Sequence, residues 1–230
     1  MKLEACIETI AEARIAAKAN LDRAELCTAL DIGGLTPTMA LTKACSEYLE
    51  IHSMIRPRQG NFNYTVVEVN LMLQELRAQC QAGATGVVFG CLTPNFEIDI
   101  ETTSTLMAKA KSLEMCTTFH RAFDFVPDKS AALETLIELG FNRLLTSGGA
   151  PTAKEGLAVI KQLVKQANGR IEIMAGSGIN SQNIKLFKTL GVDAAHFSIR
   201  KKLLENTNLN MGEQYEVDEE KLVAIKDVLV

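Results

Sequence analysis

Short apolar runs alternate with longer amphipathic segments along the whole chain, at a spacing of roughly 25 to 30 residues. The apolar runs have the length of buried strands, and the amphipathic segments have the length of helices. Eight strands are predicted, at residues 3–6, 23–27, 51–55, 86–90, 116–119, 143–146, 171–175 and 194–197. Each is followed by a predicted helix, and the helices cover residues 7–20, 38–50, 66–82, 100–113, 129–139, 153–166, 184–190 and 219–229.

This alternation predicts an α/β fold with a parallel sheet. Eight such units within 230 residues fit a closed (β/α)₈ TIM barrel better than an open doubly wound sheet, which usually has fewer strands. No change of composition marks a linker, so residues 1–230 are predicted to form a single barrel domain. Polar residues 200–216 are predicted to form a long connection before the last helix.

Charge and composition narrow the class of protein. A net charge of −4 and a pI near 5.5 argue against a general nucleic-acid binder. No apolar run approaches the roughly 20 residues that a membrane span requires. Glu4, Glu8 and Glu12 interrupt the segment where a signal peptide would be apolar. The sequence therefore predicts a cytoplasmic protein that binds no membrane and whose six cysteines are reduced.

The first two strands each carry a glutamate and a cysteine two residues apart, Glu4 with Cys6 and Glu25 with Cys27. Because strand side chains alternate, each pair lies on one face, and neighbouring strands bring the two cysteines together at one end of the barrel. Two converging thiolates suit a soft ion, above all Cu(I). A simpler interpretation is that both cysteines are small apolar core residues.

The two glutamates are also open to two interpretations. A carboxylate inside the barrel needs a partner, because its desolvation is costly. Arg23, Arg56 and Arg121 are available as partners, and an ion-pair network would then fill the barrel. Alternatively, Glu25 acts as a general acid or base in a closed site.

The remaining polar residues at predicted strand ends suggest an anion site. The segment FHRAFD places His120, Arg121 and Asp124 after the fifth strand, where they are candidates for catalysis together with Glu25. Anion ligands would come from two arginines after the third strand and from glycine turns after the sixth and seventh, namely Arg56, Arg58, Gly148, Gly176 and Gly178. The opposing interpretation is that internal carboxylates neutralise the arginines.

These segments resemble the CutC family of copper homeostasis proteins over nearly the whole chain. The resemblance is carried, in order and spacing, by LEAC, DRAELCTALDIGGLTPT, MIRPRQGNFNYT, VFGCLT, TFHRAFD, LLTSGG, IMAGSGI and AHFSIR. Two segments depart from the family pattern. Gln59-Gly60-Asn61-Phe62 stands where Gly-Gly-Asp-Phe is common, and AHFSIR replaces the more usual H-x-SAR.

The resemblance implies a cytoplasmic TIM barrel, often a homo-oligomer, that is linked to copper handling and proposed to bind Cu(I). The family's proposed copper-binding cysteines match Cys6 and Cys27. Two functions of different class follow. One is a copper-binding homeostasis protein without turnover. The other is a lyase-, isomerase- or epimerase-like enzyme acting on a small phosphorylated or carboxylated metabolite.

Overall fold

Eight parallel strands close into a barrel in chain order, with β8 paired to β1. The structure is a computed structural model that describes residues 1–203 and 213–229. The barrel strands are β1 (Lys2–Ile7), β2 (Arg23–Leu26), β3 (Ile51–Met54), β4 (Gly86–Phe89), β5 (Cys116–Phe119), β6 (Arg143–Thr146), β7 (Glu172–Ala175) and β8 (Ala194–Ser198). The predicted α/β class and TIM barrel are confirmed.

A helix follows each barrel strand and covers its outer face. The helices are α1 (Ile10–Lys18), α2 (Met39–Ser46), α3 (Val66–Gln81), α4 (Ile100–Ser112), α5 (Lys129–Leu139), α6 (Leu157–Ala167), α7 (Ile184–Leu190) and α8 (Glu219–Asp227). The predicted first helix began too early at residue 7. Instead, β1 continues through Ile7, and α1 begins after a capping box in which Thr9 and Glu12 satisfy each other's backbone amides.

Two short 3₁₀ helices, Leu30–Ile32 and Arg121–Phe125, lie in the loops after β2 and β5. The predicted connection over residues 200–216 also contains regular structure at both ends. There β9 (Arg200–Lys202) pairs antiparallel with β10 (Tyr215–Val217), and the guanidinium of Arg200 lies 4.0 Å from the Tyr215 ring centroid. The rest of that prediction, at residues 204–212, lies outside the described residues.

The main apolar core lies between the barrel and its helices, whereas part of the barrel interior is charged. Arg23 is only 2% exposed and pairs with the buried Glu4. Arg143 donates to Glu172 Oε2 at 2.8 Å and to Thr118 Oγ1 at 2.9 Å. This network lies toward the amino ends of the strands, so the cavity described next lies above a floor of paired charges.

Candidate functional site

A cavity of about 140 Å³ opens at the carboxyl ends of the strands. We call it the mouth cavity. Its polar and sulfur-containing lining residues come from five different strand ends, and its remaining walls are mostly apolar. The chemically relevant lining residues are Cys6, Glu25, Met54, His120, Arg121 and His196. Four of these six were predicted as site residues from the sequence, and the other two, Met54 and His196, were not.

His196 lies between two carboxylates on one side of the mouth cavity. Its Nδ1 is 2.9 Å from Glu4 Oε1, and its Nε2 is 3.9 Å from Glu25 Oε1. Burial alone would lower the pKa of His196, but the nearby Glu25, Cys6 and Glu4 outweigh burial and raise this pKa well above its ordinary value. His196 is therefore an imidazolium at neutral pH.

Glu4 and Glu25 differ in the hydrogen-bond and charge partners that surround their carboxylates. Burial would raise the pKa of Glu4, but the hydrogen bond and charge of His196, with Arg23 and Arg143, hold it well below its usual range. Glu25 has no arginine partner among the described residues, and burial raises its pKa, aided by the charge of Glu4. Glu25 Oε2 is buried and has no hydrogen-bond partner in the same part of the chain. Pairing with arginine thus fits Glu4 but not Glu25, whose Oε1 lies 3.9 Å from His196 Nε2 instead.

Cys6 and Cys27 lie on hydrogen-bonded neighbouring strands. Cys6 is the register partner of Glu25, and the Cys27 amide donates to the Ile7 carbonyl at 3.0 Å. The Cys27 thiol is fully buried and donates to Glu25 Oε1 at 3.5 Å. Burial, followed by the charges of Glu25 and Cys6, raises the pKa of Cys27 well above its ordinary value. Cys6 is only partly buried and reaches the cavity directly.

A tight loop covers the Cys27 thiol. The loop spans residues 28–35 and is closed by antiparallel pairing of Thr28 with Leu35. A Cβ added at Gly34, whose φ is +81°, would lie 2.9 Å from Cys27 Sγ, so only glycine allows this approach without displacement. We refer to residues 28–35 as the Cys27 loop.

The two arginines predicted to bind an anion hold loops together instead. Arg56 donates through Nη1 to the Ile32 and Gly34 carbonyls, both at 3.0 Å, and thereby fixes the Cys27 loop. Arg58 pairs with Glu68 and donates to the Asn63 carbonyl at 2.8 Å. Most of their donors are therefore already engaged by the protein.

Asp124 fills the amide cradle that the sequence assigned to an external anion. Its Oδ1 accepts from Thr146 Oγ1 at 2.5 Å and from the Gly149 amide at 3.0 Å. Its Oδ2 accepts from Arg121 Nε at 2.9 Å and from Ser147 Oγ at 2.8 Å. The Gly148 amide donates to Thr146 Oγ1 at 2.8 Å. The loop after β6 is thus neutralised from within, which is the alternative that the sequence left open.

The glycines after β7 are also engaged in packing. The Gly176 amide donates to the Thr146 carbonyl at 3.0 Å, and a Cβ there would lie 2.6 Å from Leu145 Cδ1. The Gly178 carbonyl accepts from the side-chain amide of Asn183 at 2.8 Å. Neither glycine lines the mouth cavity.

His120 lies on the opposite side of the mouth cavity from Glu4. Its Nδ1 accepts from the Ala122 amide at 3.2 Å, so the ring proton is on Nε2. Burial, followed by the charge of Arg56, lowers the pKa of His120 to about 3. The ring packs edge-on against Phe62, with centroids 4.9 Å apart. Nε2 is buried without a hydrogen-bond partner in residues 1–203 or 213–229. His120 is therefore a neutral hydrogen-bond donor.

Sequence reasoning missed Met54 and did not select His196 as a site residue. Met54 ends β3, and its side chain clusters with Cys27 and Val88 beneath the Cys27 loop. A sulfur at a strand's carboxyl end was the available signal for Met54. His196 stands in the AHFSIR segment at the end of a predicted strand, but its partner Glu4 is 192 residues away in the chain. Only closure of the barrel reveals that contact.

The fold and the site define the class of this protein, which is a TIM barrel with a sulfur- and histidine-lined cavity at the carboxyl ends of its strands. The model of the CutC family matches residues 1–201. A family protein CutC from Pasteurella multocida is 44% identical over 226 residues, covering 95% of this chain and 92% of that protein. The chain therefore belongs to the CutC family.

Solved structures agree with this assignment. A proposed copper homeostasis protein CutC from Streptococcus agalactiae is 33% identical with a TM-score of 0.81, covering 86% of this chain and 98% of that one. Deoxyribose phosphate aldolase from Aeropyrum pernix superposes with a TM-score of 0.66 at 16% identity, covering 100% of this chain and 91% of that chain. That likeness shows the fold alone. No helix among the described residues is long and apolar enough to cross a membrane.

Proposed function

We propose that this protein acts in copper homeostasis by binding Cu(I) through the thiolates of Cys6 and Cys27. The observation that carries the proposal is the placement of both thiols around Glu25, on paired strands at the mouth of the barrel. Cu(I) favours soft sulfur ligands at low coordination number. The Cys27 surroundings are also soft, because Met54 packs beside it.

A hard divalent cation fits the site less well. Glu4, Glu25 and His196 offer ligand atoms that lie within 4.8 Å of one another. However, the neighbouring carboxylates keep His196 in its protonated form, and Glu4 is paired with Arg23. Binding a cation there would leave Arg23 and the imidazolium beside a third positive charge, which is unfavourable in a buried site.

Copper binding by this route must displace the proton of Cys27, because a metal binds the thiolate. Glu25 Oε1 already accepts the thiol hydrogen, so this carboxylate is the first acceptor for the proton. The Cys27 loop covers the sulfur, and access of copper requires Gly34 and the rest of this loop to move away from Cys27 Sγ. Cys6, which already lines the cavity, provides the first thiol that an incoming ion meets.

The test is a titration of reduced protein with Cu(I) against a chromophoric Cu(I) chelator. Cys6→Ser and Cys27→Ser are each expected to weaken binding by about 100-fold or more, since each removes one of two thiolates. Cys116→Ser is the matched control, because Cys116 is exposed at the opposite end of the barrel. Unchanged affinity in both site variants, or an equal loss in the control, would reject the proposal.

The pH dependence provides a second measurement that does not rely on substitutions. The raised pKa of Cys27 means that its proton is still bound at neutral pH. Each proton released on binding increases the apparent affinity by about tenfold per pH unit below the pKa of the releasing group. Copper affinity should therefore rise between pH 6 and pH 8. A flat profile would show that no proton leaves the site on binding.

A further inference from the structure

Two polar atoms in residues that line the mouth cavity are buried without hydrogen-bond partners among the described residues. They are His120 Nε2, which carries a hydrogen, and Glu25 Oε2. Buried polar atoms are nearly always satisfied in folded proteins, because an unmet donor or acceptor is costly. The cysteine pair does not satisfy either atom. Both point to a ligand that offers oxygen atoms on two sides.

The size of the cavity limits the ligand. A volume of about 140 Å³ is close to the roughly 150 Å³ apolar cavity in another protein that accommodates benzene. The ligand therefore has about six non-hydrogen atoms. Phosphorylated sugars are much larger than this.

The charge of the wall favours a carboxylate at one end of the ligand. Arg121 lines the cavity with a side chain that is 42% exposed. Its Nε and Nη2 donate to Asp124 and Ser147, while Nη1 has no hydrogen-bond partner in the described part of the chain. A guanidinium with free donors beside a neutral histidine donor is suited to carboxylate oxygens.

The residues around the mouth cavity disfavour phosphate, because several donors that could bind it are already engaged. The amides of Ser147 and Gly149, which would cradle a phosphate, already donate to Asp124. The guanidinium of Arg56 donates to loop carbonyls. These donors after β3 and β6, which the sequence suggested as anion ligands, are therefore occupied.

We propose that the mouth cavity binds a small 2-hydroxy or 2-keto carboxylate, with the carboxylate at His120 and Arg121 and the second oxygen facing Glu25. The three contacts of this ligand do not involve the thiols, although Glu25 also accepts the Cys27 thiol hydrogen through its other oxygen, Oε1. Glu25 Oε2 is the hydrogen-bond partner for the second oxygen of the ligand.

The test uses lactate and pyruvate as probes, with propionate as the analogue that lacks the second oxygen and inorganic phosphate as the competing anion. Binding to the full-length, metal-free protein is measured by isothermal titration calorimetry. Lactate or pyruvate is expected to bind saturably with a dissociation constant of about 1 mM or below, at least tenfold more tightly than propionate. Phosphate is expected not to compete.

Substitutions of Arg121, Glu25 and His120 test which part of the ligand each residue contacts. Arg121→Gln is expected to weaken binding of both lactate and propionate, whereas Arg170→Gln, at an exposed arginine paired with Glu134, leaves it unchanged. Glu25→Ala is expected to abolish the preference for lactate over propionate while propionate binding is retained. His120→Asn, which keeps an acceptor for the Ala122 amide, should weaken both ligands about tenfold.

The proposal is overturned if none of the carboxylates binds saturably, which would mean that water alone satisfies the two atoms. It is also overturned if lactate binding survives both Arg121→Gln and Glu25→Ala unchanged in variants whose circular dichroism and unfolding transitions confirm the fold. Unchanged copper affinity in the Cys6 and Cys27 variants would reject only the copper proposal, since lactate titrations of the wild-type protein need no metal.

Discussion

His120 and His196 line the same cavity and are both at least 92% buried, yet they have opposite charge states. His120, at the end of β5, has its pKa lowered to about 3, whereas His196, in β8, has its pKa raised well above the ordinary value. Burial lowers the pKa of both. The difference arises because His196 contacts Glu4 and has Glu25 nearby, while the positive charge of Arg56 acts on His120.

The comparison shows that the mouth cavity has a charged side and a neutral side. On the β1, β2 and β8 side, carboxylates hold a proton on His196 and leave Glu25 incompletely satisfied. On the β5 and β6 side, Asp124 is saturated by Arg121 and by donors at the end of β6 and in the loop after it, and His120 is a neutral donor. The proposed copper ligands Cys6 and Cys27 lie on the first side, and the proposed carboxylate contacts His120 and Arg121 lie on the second.

The largest effect is expected from Glu4→Gln, which removes the carboxylate that fixes the charge of His196. Arg23 and His196 would then lose their shared buried partner. Removing one member of a buried ion pair costs about 3–5 kcal/mol. For a chain of this size that corresponds to a decrease in Tm of about 10 °C. Urea unfolding followed by circular dichroism measures the change.

Glu172→Gln is the matched control for Glu4→Gln. Glu172 also contacts Arg23, at 3.6 Å, and pairs with Arg143, but its side chain is 30% exposed. Water can therefore compensate for the lost charge, and the decrease in stability should be less than half as large. Equal losses in the two variants would show that the burial of Glu4 does not set the cost of removing its charge.

The next largest effect is a decrease in stability between pH 6.5 and pH 8. His196 retains its proton in the folded protein, whereas the unfolded chain loses it near pH 6.5. The stabilisation from His196 is therefore complete below pH 6.5 and is lost as pH rises toward the folded pKa. The slope is at most about 1.4 kcal/mol per pH unit. His196→Gln should flatten this part of the profile, and a slope that persists in the variant would contradict the assigned charge.

His120 is expected to give a smaller effect of opposite sign below pH 6.5. The folded protein keeps His120 neutral, while the unfolded chain takes up a proton as pH falls through 6.5. Stability from this residue is thus complete above pH 6.5 and decreases by at most about 1.4 kcal/mol by pH 5.5.

The measurement for His120 is the difference between the unfolding free energies of the wild type and of His120→Asn at both pH values. Glu25, whose pKa is raised by burial, is present in both proteins, so its contribution largely cancels. A difference that does not change between pH 6.5 and pH 5.5 would show that His120 is not held neutral.

The sequence was sufficient for local features of the site. Strand alternation placed Glu4 with Cys6 and Glu25 with Cys27 on common faces, and order along the chain placed their strands side by side. The same periodicity predicted eight βα units, since each unit buries its own apolar face. The predicted helix bounds differ from the structure by three or four residues at the start of α1, where Thr9 is the cap, at the end of α2 and at the start of α6.

The tertiary structure alone decided how the charged residues are used. Asp124 reaches the loop after β6, Arg56 reaches the Cys27 loop, and His196 reaches Glu4 across 192 positions. Each of these contacts joins residues that are distant in sequence. A sequence pattern reports which side of a strand a residue occupies, but the pKa of a buried group depends on which charges lie within a few ångströms of it. Closure of the barrel sets those distances, and it made one histidine cationic and the other neutral.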